Sequence, residues 1–170
     1  MPLIAIESPK QETVKAIFDR YAANIGQVPK TIELYSISPT IVIKQAEINT
    51  YFATHENLSF PLLCLIRYLN ATVCNNQICE TLNAGFLQRQ GMSDDEIAAV
   101  KTDPATAPVE PREQRLLSFV CNAVADPDGV TQADIDKLHG DGWSDRDIFD
   151  AAYHGVMMVT TGLLTRIFKM

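Results

Sequence analysis

The sequence predicts an all-α fold, with residues 1–170 forming a single domain. Three observations predict it. Most segments carry helix-start signals followed by apolar residues at helical spacing. No segment alternates apolar and polar residues with the period of two that a half-buried strand requires. A glycine–serine joint between helices occurs twice, which indicates a repeated helical-hairpin unit.

The first third of the chain contains three predicted helices. Ser8-Pro9-Lys10-Gln11 has the pattern of a capping box with proline at the first helical position, and the helix that it opens is expected to reach about Ala23. Gly26-Gln27-Val28-Pro29 interrupts it. A short helix over 29–36 and a longer one over 38–52 are expected to follow.

The next predicted helix begins at Ser59-Phe60-Pro61 and ends near Val73. It has apolar character on two sides, so we expect it to be central and to bury Cys64. Its main apolar stripe consists of Leu62, Leu65, Ile66, Leu69 and Val73. The opposite side carries Cys64, Arg67 and Ala71. A further helix is predicted over 76–90.

Two later segments resemble each other, namely Gly91-Met92-Ser93-Asp94 and Gly142-Trp143-Ser144-Asp145. In both, glycine is expected to end one helix and serine to cap the next, with an acidic residue three positions after the serine. Between them, residues 102–111 and 126–129 are predicted as surface turns because they are rich in proline, aspartate and glycine.

Composition excludes several classes of function. The net charge of −7 and the lack of a basic patch argue against a nucleic-acid partner. No apolar run approaches a membrane span, and the first residues lack the pattern of a secretion signal, so we expect a cytoplasmic protein. Four irregularly spaced cysteines do not suggest a disulfide framework, and none of the three histidines lies at ligand spacing from a cysteine pair. We expect no metal and no other cofactor.

The candidate reactive group is Cys79. Helical spacing places Asn76, Cys79, Asn83 and Phe86 on one face, with Cys79 in the first turn, where unpaired amides and the helix dipole favour a thiolate. A buried cysteine that serves as a small apolar side chain is the alternative. Cys74 lies at the joint between two helices, close enough in sequence for backbone geometry to bring it near Cys79.

Two further groups are interpreted structurally. Cys121 lies on an apolar stripe and is expected to fill the core. His154, on the apolar helix near the C-terminus, is interpreted as a packed or interface histidine, with a role as a base as the alternative.

This pattern resembles the alkylhydroperoxidase D-like, carboxymuconolactone decarboxylase superfamily. The similar segments are Gly26-Gln27-Val28-Pro29 with Ser38-Pro39, Leu58-Ser59, and Gly91-Met92-Ser93-Asp94. The resemblance implies an all-helical fold and a homo-oligomer. It also implies a site made from a glutamate on one helix and a Cys-x-x-Cys pair followed by histidine on the next.

The catalytic positions of the family are substituted in this chain. The resemblance places Cys79 at the second, redox-active cysteine, Asn76 at the first cysteine, Asn83 at the histidine and Cys64 at the glutamate. Asparagine does not transfer protons near neutral pH, and an amide does not resolve a sulfenic acid. The dithiol cycle of the family is therefore not available in its usual form.

Three functions follow as hypotheses. In the first, the protein is a peroxidase-like thiol oxidoreductase in which Cys79 reacts with a hydroperoxide, and Cys74, Cys64 or an external thiol reductant resolves the sulfenic acid. In the second, it binds a small apolar ligand or acts as a scaffold without catalysis, and Asn76 and Asn83 contact ligand or water. A decarboxylating lyase is the third, for which no convergent acid–base set is seen.

Overall fold

The computed structural model describes residues 2–73 and 75–170, and within them the regular structure is helical. Short 3₁₀ segments occupy Pro104–Thr106 and Pro127–Gly129. The α-helices of the described residues are α1 (Glu12–Ile25), α2 (Lys30–Tyr35), α3 (Pro39–Ala53), α4 (Phe60–Val73), α5 (Gln77–Arg89), α6 (Asp94–Thr102), α7 (Pro111–Ala125), α8 (Gln132–Gly140) and α9 (Asp145–Ile167).

The start of the first helix was predicted wrongly. α1 begins at Glu12, with Gln11 as its N-cap residue in extended conformation and without a side-chain cap. Ser8 therefore caps no helix, and the proline that follows it lies in irregular chain, where its fixed φ is equally acceptable. The helix ends at Gly26, whose φ of 82° is a left-handed conformation that glycine adopts without strain.

The chain divides into two compact units, each described by itself. The first contains the residues up to His55 together with Leu163–Met170. In it α1, α2 and α3 pack around a small apolar core. The buried members of that core are Val14, Ile17, Ile32, Val42 and Ala46. The expectation of a single domain stays a prediction.

The second unit, Glu56–Gly162, contains the helices that build the candidate site. α4 is its central element and packs against α5 and α7. Cys64, Leu65 and Ala71 are all fully buried although they lie on different sides of α4. The expectation that this helix is covered on both sides is therefore confirmed, except at its last residue, Val73, which is 54% exposed.

The two joints predicted from sequence have the same geometry. Gly91 and Gly142 have φ values of 94° and 84°, and each ends a helix. The amides of the next residues, Met92 and Trp143, donate back to Leu87 and Leu138 across the helix end. Ser93 and Ser144 then cap the following helices, and the carboxylate three residues later accepts a hydrogen bond from the backbone amide of each serine. The repeated joint is confirmed.

α9 lies close to its neighbours in the second unit at Gly155. A Cβ atom at this position would lie 2.7 Å from Val120 Cγ1 on α7 and 3.2 Å from Asn70 Nδ2 on α4. Glycine is therefore required here for packing and not for a special φ. The close approach matters because the preceding residue on α9 is His154.

We predict that Gly155→Ala destabilises the protein by about 1–3 kcal/mol, because an added methyl group overpacks this crossing. Gly85→Ala is the matched control. A Cβ at Gly85, inside α5, meets no atom within 4 Å, so alanine should leave stability unchanged or raise it by up to about 1 kcal/mol. Urea unfolding of the three proteins measures both effects. Equal stability of Gly155→Ala and the wild type would contradict the packing described for α9.

Candidate functional site

The turn between α4 and α5 is formed by two asparagines with different roles. Asn75 has a φ of 52°, a left-handed conformation that asparagine tolerates better than most residues. The Asn76 amide donates to the carbonyl of Ala71 at 2.9 Å. The Asn76 side chain then caps α5, its Oδ1 accepting from the Cys79 amide at 3.2 Å. The turn therefore fixes where α5 begins.

Cys79 and Asn83 lie one turn apart on the buried face of α5. Cys79 is the third residue of the helix and is 4% exposed, and Asn83 is 2% exposed. Nδ2 of Asn83 donates to the backbone carbonyl of Cys79 at 2.7 Å. This bond leaves the Asn83 carbonyl oxygen directed away from its own helix.

Arg67 of α4 connects these groups to one another. Its Nε donates to Asn83 Oδ1 at 2.7 Å, and its Nη2 donates to the Cys64 sulfur at 3.0 Å. Its Nη1 lies 3.1 Å from His154 Nε2. The guanidinium thus contacts side chains from α4, α5 and α9.

The electrostatics of Cys64 combine two opposing effects. Burial raises the pKa of the Cys64 thiol above its ordinary value, because a thiolate is poorly solvated in the protein interior. The Arg67 guanidinium acts in the opposite direction, through its charge and its hydrogen bond. Of the three side chains that Arg67 contacts here, the thiol is the one that becomes an anion on losing a proton. Burial is the larger effect, so the pKa of Cys64 stays raised, and Arg67 limits the rise.

Two aromatic rings lie beside this network. Phe60, which is 40% exposed, lies on the same side of α4 as Cys64 and Arg67, four and seven residues before them. Its ring packs edge-on against that of Phe86 on α5, with centroids 6.1 Å apart. The Arg67 guanidinium is 5.9 Å from the Phe60 centroid. Arg89 stands at the same distance from the Phe86 ring. The polar network is thus bordered by two aromatic residues, the more exposed of which is Phe60.

Comparison with solved structures identifies the architecture. An uncharacterized peroxidase-related protein from Silicibacter sp. TM1040 superposes with a TM-score of 0.85 at 16% identity, covering 99% of this chain and 88% of the other. A second such protein, from Ralstonia eutropha JMP134 and described as an alkylhydroperoxidase AhpD core, gives 0.83 at 15% identity, covering 99% and 90%. The chain has the alkylhydroperoxidase D-like fold.

The same fold occurs in a protein with a different reaction. The debrominase Bmp8, in a cysteine-to-alanine form in complex with 2,3,4-tribromopyrrole, superposes with a TM-score of 0.77 at 12% identity, covering 99% of this chain and 92% of the other. No protein-family model and no curated protein matches the sequence. The similarity therefore establishes the alkylhydroperoxidase D-like fold and leaves the reaction to be argued from the side chains.

Most of the site residues predicted from the sequence lie together in this alkylhydroperoxidase D-like structure. Asn83 links Cys79 to Arg67, and Arg67 contacts Cys64, while Asn76 caps the same helix. The described cysteines Cys64, Cys79 and Cys121 form no disulfide. Cys74 lies outside the described residues, so its place relative to Cys79 stays a prediction.

Sequence reasoning did not assign a role to Arg67. The sequence pattern placed Arg67 beside Cys64 on one side of α4 and did not indicate what this part-buried guanidinium contacts. The interpretation of His154 as a packed histidine captured its burial, at 4% exposure, and not its partner. An arginine on a helix side expected to be buried was the available signal, because such a group needs several acceptors.

Among residues 2–73 and 75–170, no cluster of three or more His, Cys, Asp or Glu side chains has the arrangement to hold a metal ion. In the same part of the chain, none of the helices combines the length and the apolar character needed to cross a bilayer.

We predict that Arg67→Met raises the pKa of the Cys64 thiol further, by about 1–2 units, because the charge that favours the thiolate is lost while most of the side-chain volume is kept. Thiolate absorbance at 240 nm, taken as the difference between each protein and its Cys64→Ser form, follows this titration. Arg89→Met is the control, since Arg89 stacks on Phe86 without contacting a thiol. A titration midpoint that Arg67→Met does not move would show that the guanidinium has no influence on Cys64.

Proposed function

We propose that this protein is a thiol-dependent, peroxidase-like oxidoreductase in which Cys79 and Cys64 are the reacting groups. The observation that supports it is the position of Arg67, which contacts the Cys64 sulfur and, through Asn83, the helix turn of Cys79. A fixed cation beside a thiol favours the thiolate, which is the nucleophilic form. The alkylhydroperoxidase D-like fold agrees with this class of chemistry.

Cys79 is the thiol assigned to attack the hydroperoxide. It lies in the first turn of α5, where the helix dipole favours a negative charge. Its thiolate attacks the terminal oxygen of the hydroperoxide, the O–O bond breaks, and the alkoxide takes a proton from solvent to leave as an alcohol. Cys79 is oxidised to sulfenic acid, and the hydroperoxide is reduced by the same two electrons.

Cys64 is the thiol assigned to the second step. Burial raises the pKa of Cys64 and Arg67 opposes that rise, and the thiolate form of Cys64 attacks the sulfenic sulfur of Cys79. A disulfide forms, the hydroxyl group leaves, and with one proton it becomes water. An external dithiol then reduces the disulfide by thiol–disulfide exchange and is itself oxidised to a disulfide. Arg67 supplies charge in this scheme and no proton, because a guanidinium stays protonated in proteins.

The test uses the intact protein treated with cumene hydroperoxide or hydrogen peroxide, one equivalent at a time, in the presence of dimedone. We expect mass spectrometry to find dimedone on Cys79, or a Cys64–Cys79 disulfide when dimedone is omitted. Cys64→Ser should increase the trapped sulfenate at Cys79, since the resolving thiol is lost.

Cys121→Ser is the matched control. Burial raises the pKa of Cys121 to about 12, so this thiol should not react and its replacement should leave the products unchanged. A disulfide between Cys79 and Cys74 in place of Cys64 would reassign the resolving thiol. Absence of both sulfenate and any disulfide containing Cys79 would refute the proposed function.

Binding of a small apolar molecule without catalysis is the second candidate function. A hollow of about 430 Å³ between α7 and α8 favours it, because cavities of this size accept small organic ligands. Phe119 and Leu138 supply apolar lining, and Ser118 and Asn122 supply hydrogen-bonding groups.

The second candidate is tested by titrating isotope-labelled protein with 2,3,4-tribromopyrrole, the ligand in the Bmp8 crystal. Chemical-shift changes confined to α7 and α8, abolished by Phe119→Trp and kept in Phe149→Trp, are the expected result. Phe149 is an exposed aromatic residue outside the lining of the hollow, so it is a suitable control. Changes confined to α4 and α5 would instead favour binding beside the thiols.

A further inference from the structure

His154 reaches the thiol network from a different helix than the one on which the family resemblance expects a histidine. It lies on α9, and the adjacent Gly155 lets that helix approach α4 and α7 closely. The imidazole is 4% exposed, and its Nε2 lies 3.1 Å from Nη1 of Arg67. No step of the proposed reaction uses this buried titratable group.

The contact fixes the protonation of the imidazole. Arginine only donates hydrogen bonds, so Nε2 of His154 must be the acceptor and carry no hydrogen. The ring is then neutral, with its hydrogen on Nδ1, a tautomer that follows from the donor character of Arg67. An imidazolium would lose the acceptor and would place a second cation 3.1 Å from the guanidinium.

We infer that His154 is a positioning residue that holds the Arg67 guanidinium against the Cys64 sulfur when its imidazole is neutral. This inference rests on the proposed function for its place in a reaction, since it concerns the thiol assigned to the second step. One guanidinium cannot rotate toward or away from Cys64 without breaking its bonds to His154 and Asn83. His154 therefore controls Cys64 through Arg67.

Protonation of His154 should accordingly release Arg67 and disfavour the Cys64 thiolate. The charged and titratable groups joined to the imidazole by these contacts are Arg67 and Cys64, both on α4. On α5 the network continues to the neutral amide of Asn83. On α7 the groups nearest this crossing are apolar, Val120 and Val124. The imidazole thus contacts the guanidinium, which in turn contacts the thiol, and a proton on the imidazole would repel the guanidinium directly.

Two amide variants of His154 provide the test. Gln places its carbonyl oxygen near the position of Nε2 and can still accept from Arg67, whereas Asn places it near the position of Nδ1 and falls short. We expect His154→Asn to raise the midpoint of the Cys64 titration, measured at 240 nm, by about one pH unit, because a hydrogen bond to a charged group is of that order. His154→Gln should restore at least half of the shift.

The same substitution in an Arg67→Met background shows whether the effect passes through Arg67. We expect His154→Asn to leave the Cys64 midpoint unchanged there, since the residue that it positions is already lost. His139→Gln is the control, because His139 is an exposed histidine that pairs with Asp145 and has no contact with this network. Circular dichroism at each pH confirms that the variants compared are folded.

The outcomes separate this inference from the proposed function. Equal midpoints for the Asn and Gln variants, or an unchanged shift in the Arg67→Met background, would overturn the positioning role of His154. Neither measurement uses peroxide, so failure of wild-type protein to form sulfenate would refute the proposed function and leave the His154 result standing. The supporting result has three parts. His154→Asn raises the midpoint of the Cys64 titration, His154→Gln restores at least half of that shift, and His154→Asn has no effect in the Arg67→Met background.

Discussion

The candidate site depends on the forked guanidinium of Arg67. A guanidinium has five donors in one plane and no acceptor, so each neighbour must present a lone pair in a fixed direction. Here a thiol from α4, an amide oxygen from α5 and an imidazole nitrogen from α9 do so. The guanidinium of one arginine therefore joins side chains from all three helices. The candidate site places a guanidinium beside a thiol, where the family resemblance expects a carboxylate and a histidine that pass protons.

The fold was largely predictable because its signals are local. The burial of Cys64 on α4, the approximate extent of α5 and the two glycine–serine joints follow from local spacing and turn residues, and all are confirmed. The start of α1 was not predictable in this way, since Ser8 and Pro9 satisfy a helix-start pattern and an irregular segment equally well. Oligomeric state and cellular location stay predictions.

The sequence predicted which residues lie on the helix faces of the candidate site, but it did not predict which side chains contact one another. Residues at spacings of three and four identified the faces that carry Cys64 and Asn83, and these faces meet in the structure through Arg67. The bond from Arg67 to His154 joins residues 87 positions apart, and it depends on the close approach at Gly155. The sequence does not show which helix packs against a single glycine within another helix, so this contact could be identified only from the structure.

The asparagine turn before α5 has a consequence for how such a site evolves. Where the resemblance expects an oxidisable thiol, Asn76 anchors the first turn of the helix by accepting from the Cys79 amide. An amide is inert toward oxidants, so oxidation of the Cys79 sulfur does not in itself remove this cap. The side chain that caps the helix and the sulfur proposed to react therefore belong to different residues. Substitution of the reactive residue would leave the helix cap in place.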